Sequence, residues 1–367
     1  MPLACLPVTA CLIVFPCSIA KRCPFIRIIN MDSHLQYYHS DKPFRLEMGG
    51  VLPELTIAYH TYGRLSEKRD NVVWVCHALT GSSDVADWWP HTVEEDAFLD
   101  PSKWFVVCAN ILGSHYGSTG PLSVNPATGE PYYGDFPKLT IGDMVSAHCL
   151  LAEALGIGKI HRLVGSSVGG FQAIEWAVRE PHRFEKLALI ATAAKASPWL
   201  IAVDETQRMA VRSDATFGER RPDAARSGLA AARAIGMLTY RGPEGYNLSQ
   251  QDPGEVPPGG EHRACTYQRY QGEKLCHRYN AYSYVAILDA FDTYDIGRGR
   301  GGLEKALATL TMPAIVVGIT TDICFTPAEM RWLASMLPDS VYHEICSPFG
   351  HDGFLVEYGQ LNAILTE

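Results

Sequence analysis

At 367 residues with 47% hydrophobic content, the chain is long enough to bury one large core. A formal net charge of -9 without any clustered basic face argues against a nucleic-acid or anionic-membrane partner. Eleven cysteines are scattered with no CxxC pair and no zinc-like Cys/His spacing. No metal site is therefore expected, and the cysteines read as small buried hydrophobes in a reducing compartment, which points to the cytoplasm.

Leu3 to Ala20 is largely apolar, but Lys21 and Arg22 follow this stretch instead of preceding it, and Pro7 and Pro16 interrupt it. That order is the reverse of a secretory signal, and the run is barely long enough to span a bilayer. Met31 begins a more ordinary polar segment, so residues 1–30 are read as an N-terminal extension outside the fold.

From there, short Val/Ile-rich runs alternate with longer amphipathic stretches, the pattern of parallel strands joined by crossover helices. Val72 to Cys76, Trp104 to Ala109, His161 to Val164, Leu187 to Ala191 and Ala314 to Gly318 are read as buried strands. Gly142 to Leu155 and Phe171 to Val178 carry helical spacing, and the second stops before Pro181. Residues 197–302 differ, being rich in Ala, Arg and Tyr and lacking strand-like runs. They are expected to form a helical cap between two parts of an α/β core, residues 31–196 and 303–367. Within the cap, Gly242 to Gly260 is expected to be an exposed, mobile loop.

Gly165-Ser166-Ser167-Val168-Gly169 matches G-x-S-x-G, with a strand before it and a helix opening at Val168. In that context the serine sits on a sharp, strained turn that pushes its hydroxyl into the site. The first amide of the helix, Val168, is then one half of an oxyanion hole, and the Leu79 amide, in the loop after Val72 to Cys76, is the other. A serine hydroxyl is a weak nucleophile at neutral pH and needs a base and an orienting acid, expected downstream in the order Ser, Asp, His. Asp322 follows a strand at the carboxyl edge of the sheet, and His351 lies in a glycine-flanked loop. Asp352 is a rival acid, but an immediate neighbour rarely reaches the far ring nitrogen of its own histidine, so contact with substrate suits it better. Together these features describe an α/β-hydrolase fold, a mostly parallel sheet with helices on both faces and a helical lid.

His77-Ala-Leu-Thr-Gly81, Asn110-Ile-Leu-Gly113, Gly117-Ser-Thr-Gly-Pro121, Phe136-Pro-Lys-Leu-Thr-Ile-Gly-Asp143, Ser197-Pro-Trp199, Leu238-Thr-Tyr-Arg241 and Gly350-His-Asp352 resemble motifs of the homoserine O-acyltransferases of methionine biosynthesis. The likeness runs from about Met31 to the end of the chain. It implies that Ser167, Asp322 and His351 are a catalytic triad and that Arg233, Tyr240 and Asp352 hold homoserine. In that arrangement Arg233 clamps the carboxylate and Asp352 receives the ammonium group, the opposite charges an amino acid needs. It also implies acetyl-CoA as co-substrate with no bound cofactor, a ping-pong reaction through an acyl-serine, and a homodimer built through cap helices. Ser166-Ser167-Val168, Cys324-Phe325-Thr326-Pro327 and the stretch Gly242 to Gly260 depart from the family pattern; Val168 and Cys324 leave succinyl-CoA in play as donor, and the cap differences leave L-serine in play as acceptor. A plain esterase or thioesterase of the same fold would share the triad but would not need Arg233 or Asp352.

Overall fold

The computed structural model describes residues 35–366, so the expectation for residues 1–30 lies outside the described residues. Eight strands form the main sheet: β1 (Gln36–Ser40), β2 (Leu55–Tyr62), β3 (Val72–Cys76), β4 (Phe105–Ala109), β5 (Ile160–Ser166), β6 (Phe184–Ile190), β7 (Ala314–Ile319) and β8 (Ser340–Ile345). Their spatial order is β1-β2-β4-β3-β5-β6-β7-β8, with β1 and β2 antiparallel to their neighbours and the rest parallel. The central strands are continuous apolar runs because helices cover both faces of the sheet, and every residue of β3 is buried.

Helices α1 (Ile141–Ala154) and α2 (Val168–Arg179) flank β5, and Trp74 of β3 meets Trp176 of α2 edge-on at 5.0 Å. Thr140 caps α1 through a reciprocal pair with Asp143, which is why that helix starts where it does. Between β6 and β7 run α3 (Pro198–Arg212), α4 (Arg226–Ser249), α5 (Arg263–Cys276), α6 (Ala281–Asp292) and the short α7 (Leu303–Leu307). A single bridge pairs Lys195 with Asp295 at the base of this helical insertion. After β7, α8 (Pro327–Met336) returns the chain to β8, and α9 (Tyr358–Leu365) follows.

Two readings of the sequence need correction. The stretch beginning at Gly242 is not all loop: Gly242 adopts φ 64°, Pro243 then restarts a helix, and α4 runs on to Ser249. Proline is disruptive inside a helix but suits a first turn, where its missing N–H has no partner to lose. The cysteines are also not uniformly buried: Cys76, Cys108, Cys276 and Cys324 are, whereas Cys265 and Cys346 are exposed, and all seven described cysteines are unpaired. No helix among the described residues is long and apolar enough to cross a membrane.

Candidate active site

Strand register brings the working ends of the sheet together. Ser166 pairs with Ile190, and Ile190 with Val317, so the carboxyl ends of β5, β6 and β7 lie side by side. Ser167 occupies the turn between β5 and α2 with φ 53° and ψ −126°. A non-glycine residue held there stores on the order of 1–3 kcal/mol of strain, tolerated only where the surroundings over-determine it. The surroundings do so here, because a Cβ on Gly169 would run into the Cys76 carbonyl and only glycine lets α2 start so close to β3.

Ser167 Oγ lies 2.9 Å from His351 Nε2, and His351 Nδ1 lies 2.8 Å from Asp322 Oδ2. The carboxylate can only accept, so Nδ1 carries the ring proton and Nε2 is left to take the serine's. Asp322 is held in turn, since its Oδ1 accepts the amides of Cys324 at 2.7 Å and Phe325 at 3.0 Å. The loops bearing the acid and the histidine are tied to each other. Thr321 Oγ1 donates to the Ser347 carbonyl at 2.7 Å and accepts the Gly350 amide at 2.9 Å, while the Ser347 amide donates to Thr320 Oγ1 at 3.1 Å. The imidazole is buried against Phe325 and Phe354, each 5.3 Å away ring to ring. Burial works to lower the His351 pKa, but the charge and hydrogen bond of Asp322, reinforced by Asp352, turn the net shift upward.

These groups open into a cleft with about 860 Å³ of empty space, open solvent included, roofed by cap residues such as Leu200, Leu288 and Phe291. Leu79 and Val168 line it beside Ser167. As the first residue of α2, Val168 has no helical acceptor for its amide, which is free to face a ligand. Arg233, Tyr240 and Asp352 line the same cleft. Arg233 lies over the Tyr240 ring at 5.3 Å and has no hydrogen-bond partner among the described residues. Burial raises the Tyr240 phenol well above its ordinary pKa, so it stays neutral.

Asp352 is placed differently from the simple expectation of an open ammonium site. Its Oδ2 accepts from Arg241 Nε at 2.8 Å, and Arg241 is itself sandwiched by Tyr267 and Phe349, with both ring centres at 5.8 Å. One carboxylate oxygen is therefore already committed. Sequence reasoning missed Arg241 as this partner, and it missed Asp204 and Arg278 as further polar groups lining the cleft. Asp204 is buried, accepts from Gln207 Nε2 at 2.9 Å, and leaves Oδ2 without a partner among the described residues. Burial, with Asp292 close by, raises its pKa well above the carboxylate range. Arg278 donates to the Thr80 carbonyl at 2.6 Å, tying the cap to the loop after β3. Among the described residues no group of three or more His, Cys, Asp or Glu side chains is arranged to hold a metal ion.

The geometry agrees with what the chain is similar to. A family model described as the alpha/beta hydrolase fold matches residues 71–358. A homoserine O-acetyltransferase from Cyclobacterium marinum is 46% identical over 337 residues, covering 92% of this chain and 95% of that protein. Among solved structures, esterase E22 aligns with TM-score 0.83 at 24% identity over 91% of this chain and 100% of its own. A homoserine O-acetyltransferase from Bacillus anthracis gives TM-score 0.83 at 23% identity, with 91% and 98% covered. An esterase and a transferase fit equally well, so the backbone alone does not separate the two chemistries. Sequence similarity does: the chain belongs to the homoserine O-acetyltransferase family, within the α/β-hydrolase superfamily.

Proposed function

We propose that the chain transfers an acetyl group from acetyl-CoA to the hydroxyl of L-homoserine, through an acyl-enzyme at Ser167, as a step of methionine biosynthesis. His351 Nε2 takes the Ser167 proton as the oxygen attacks the thioester, and Asp322 holds the imidazole in the required tautomer. The Leu79 and Val168 amides stabilise the oxyanion of the tetrahedral intermediate. Coenzyme A leaves as its thiol. Homoserine then enters, gives its hydroxyl proton to His351, and displaces the serine oxygen to form the O-acetyl amino acid.

One observation carries this reading beyond ester hydrolysis. The cleft that opens from the serine also contains an unpartnered guanidinium, Arg233, whose fork matches a carboxylate. Tyr240 lies beneath Arg233, and Asp352 retains one oxygen for an ammonium group beside its bond to Arg241. The cap roof suits transfer because it keeps water from the acyl-serine while the acceptor is held close. Trp199, Met209 and Leu238 are 52%, 60% and 55% exposed on cap helices α3 and α4, apolar surface available to a homodimer built through the cap helices. Unpaired cysteines suit a reducing, cytoplasmic setting.

The test is the intact mass of the enzyme after exposure to acetyl-CoA or succinyl-CoA, in wild type and Ser167→Ala, together with thiol release with and without homoserine. A 167-dependent acetyl adduct, discharged by homoserine, is expected. A succinyl adduct in its place would change the donor, and an adduct on the Ala variant would remove Ser167 from its role. Thiol release indifferent to homoserine would favour the esterase reading.

A further inference from the structure

The two amides assigned to the oxyanion are held from behind in the same way. A peptide unit is planar and trans, so its C=O and N–H point in opposite directions, and fixing one aims the other. The Leu79 N–H shares its peptide with the Ala78 carbonyl. That carbonyl lies 2.8 Å from His77 Nδ1 and also accepts the Gly81 amide at 2.9 Å. The tautomer of His77 is set by its other nitrogen: Nε2 accepts the Ile111 amide at 3.0 Å, so the ring proton sits on Nδ1 and Nδ1 donates to Ala78. Complete burial pushes the pKa of this imidazole down to about 4, which keeps it neutral and the tautomer fixed across the working pH range.

The Val168 N–H shares its peptide with the Ser167 carbonyl. That carbonyl accepts from Thr192 Oγ1 at 2.7 Å and from the Gly170 amide at 2.9 Å. Thr192 follows the end of β6 and packs directly on Gly170, where a Cβ would collide with its side chain. Each peptide is thus held by one side-chain donor and one backbone donor, and neither side chain lines the cleft.

We propose that His77 and Thr192 are positioning residues for acyl transfer, each orienting one oxyanion peptide by donating to the carbonyl on its far side. The assignment rests on the acyl-serine reading above and adds residues that never touch substrate. A donor that swings away from the developing oxyanion loses its effect at the transition state while leaving ground-state binding alone, so the effect belongs in kcat and not in KM.

The decisive variants are Thr192→Val, which keeps the shape and removes the donor, and Thr192→Ser, which restores the hydroxyl. The measurement is the rate of acetyl-adduct formation on the intact enzyme against acetyl-CoA concentration, by rapid quench and mass. Thr192→Val is expected to slow acylation about 10- to 100-fold with the half-saturating acetyl-CoA concentration unchanged, since complete loss of an oxyanion donor costs on the order of 10²- to 10³-fold. Thr192→Ser is expected to recover most of the rate. His77→Asn, whose amide can replace the Nδ1 donor, is expected to outperform His77→Leu, which gives a second route should Thr192→Val misfold. Acylation of Thr192→Val at the wild-type rate, a Ser variant as slow as the Val variant, or a loss confined to half-saturation would each overturn the proposal. Failure of the underlying reading looks different, because the adduct would then survive in Ser167→Ala.

Discussion

The two walls of the cleft are built on opposite plans. On the sheet side the triad and its supports are already joined to one another: Asp322 accepts two amides and the His351 ring, and Thr320 and Thr321 lace the acid loop to the histidine loop. On the cap side, Arg233 has only an aromatic ring for company, and Asp204 keeps a buried oxygen without a partner among the described residues. An unpaired buried polar atom costs roughly 1–3 kcal/mol, a penalty that a ligand offering a hydrogen bond can relieve. On the proposed reading, the groups assigned to the chemistry are arranged before substrate arrives, while those assigned to recognition wait for it.

The largest effect expected from breaking this contrast is on the sheet side. Ser167→Ala or His351→Ala should reduce acetyl transfer by about 10⁴- to 10⁶-fold, read by steady-state thiol release, with little change in melting temperature for Ser167→Ala and a lowered one for His351→Ala, which leaves Asp322 buried without its imidazole. On the cap side, Arg233→Ala should raise KM for homoserine about 10- to 100-fold, the worth of a charge-assisted hydrogen bond pair. Acetylation of the enzyme by acetyl-CoA alone should stay as fast as in wild type, and a slowed first half-reaction would mean that the two walls are not separable.

A smaller effect tests the lacing. Thr321→Val removes one donor and one acceptor between the two loops, and should cost about 1–3 kcal/mol of stability by chemical denaturation. If stability were unchanged, the Thr321 bonds would contribute nothing net and the tie would rest on Thr320 and packing.

The smallest effect concerns pH. His351 must be unprotonated to accept the serine proton, and its pKa is raised, so acylation should fall off with acid at a pH above that of an ordinary histidine, 6.5. Asp352 contributes to that rise, so Asp352→Asn should move the acid limb to lower pH in the acetyl-CoA half-reaction. A limb that stays in place or moves upward would break the electrostatic link between the recognition and reacting groups.

Much of this was legible in the chain as a string of residues. Strands β3 to β7 announced themselves as short apolar runs, and β3 occupies Val72–Cys76 as read, whereas β2, Leu55–Tyr62, was missed although six of its eight residues are buried, because Thr56, Tyr59, His60, Thr61 and Tyr62 break the apolar run. The edge strands β1 and β8 escaped notice because only one face of each is covered, and Val341 of β8 is 56% exposed. G-x-S-x-G between a strand and a helix marked Ser167, and the order of residues downstream marked Asp322 and His351, which meet at hydrogen-bonding distance. His77 stood in view within its motif, yet nothing in the sequence tells which of its nitrogens carries the proton.

Residue order alone carries the local features: hydrophobic period, the breaks imposed by glycine and proline, and the strained turn at Ser167, all of which depend on residues within a few positions of each other. Which distant groups face one another emerges only in the folded chain. Arg241 binds Asp352 across 111 positions, Arg278 reaches Thr80 across 198, and Thr192 donates to the Ser167 carbonyl from the loop after β6. Such pairings follow from how helices seat on the sheet. That seating is set by the packing of the whole core, so no local spacing encodes it.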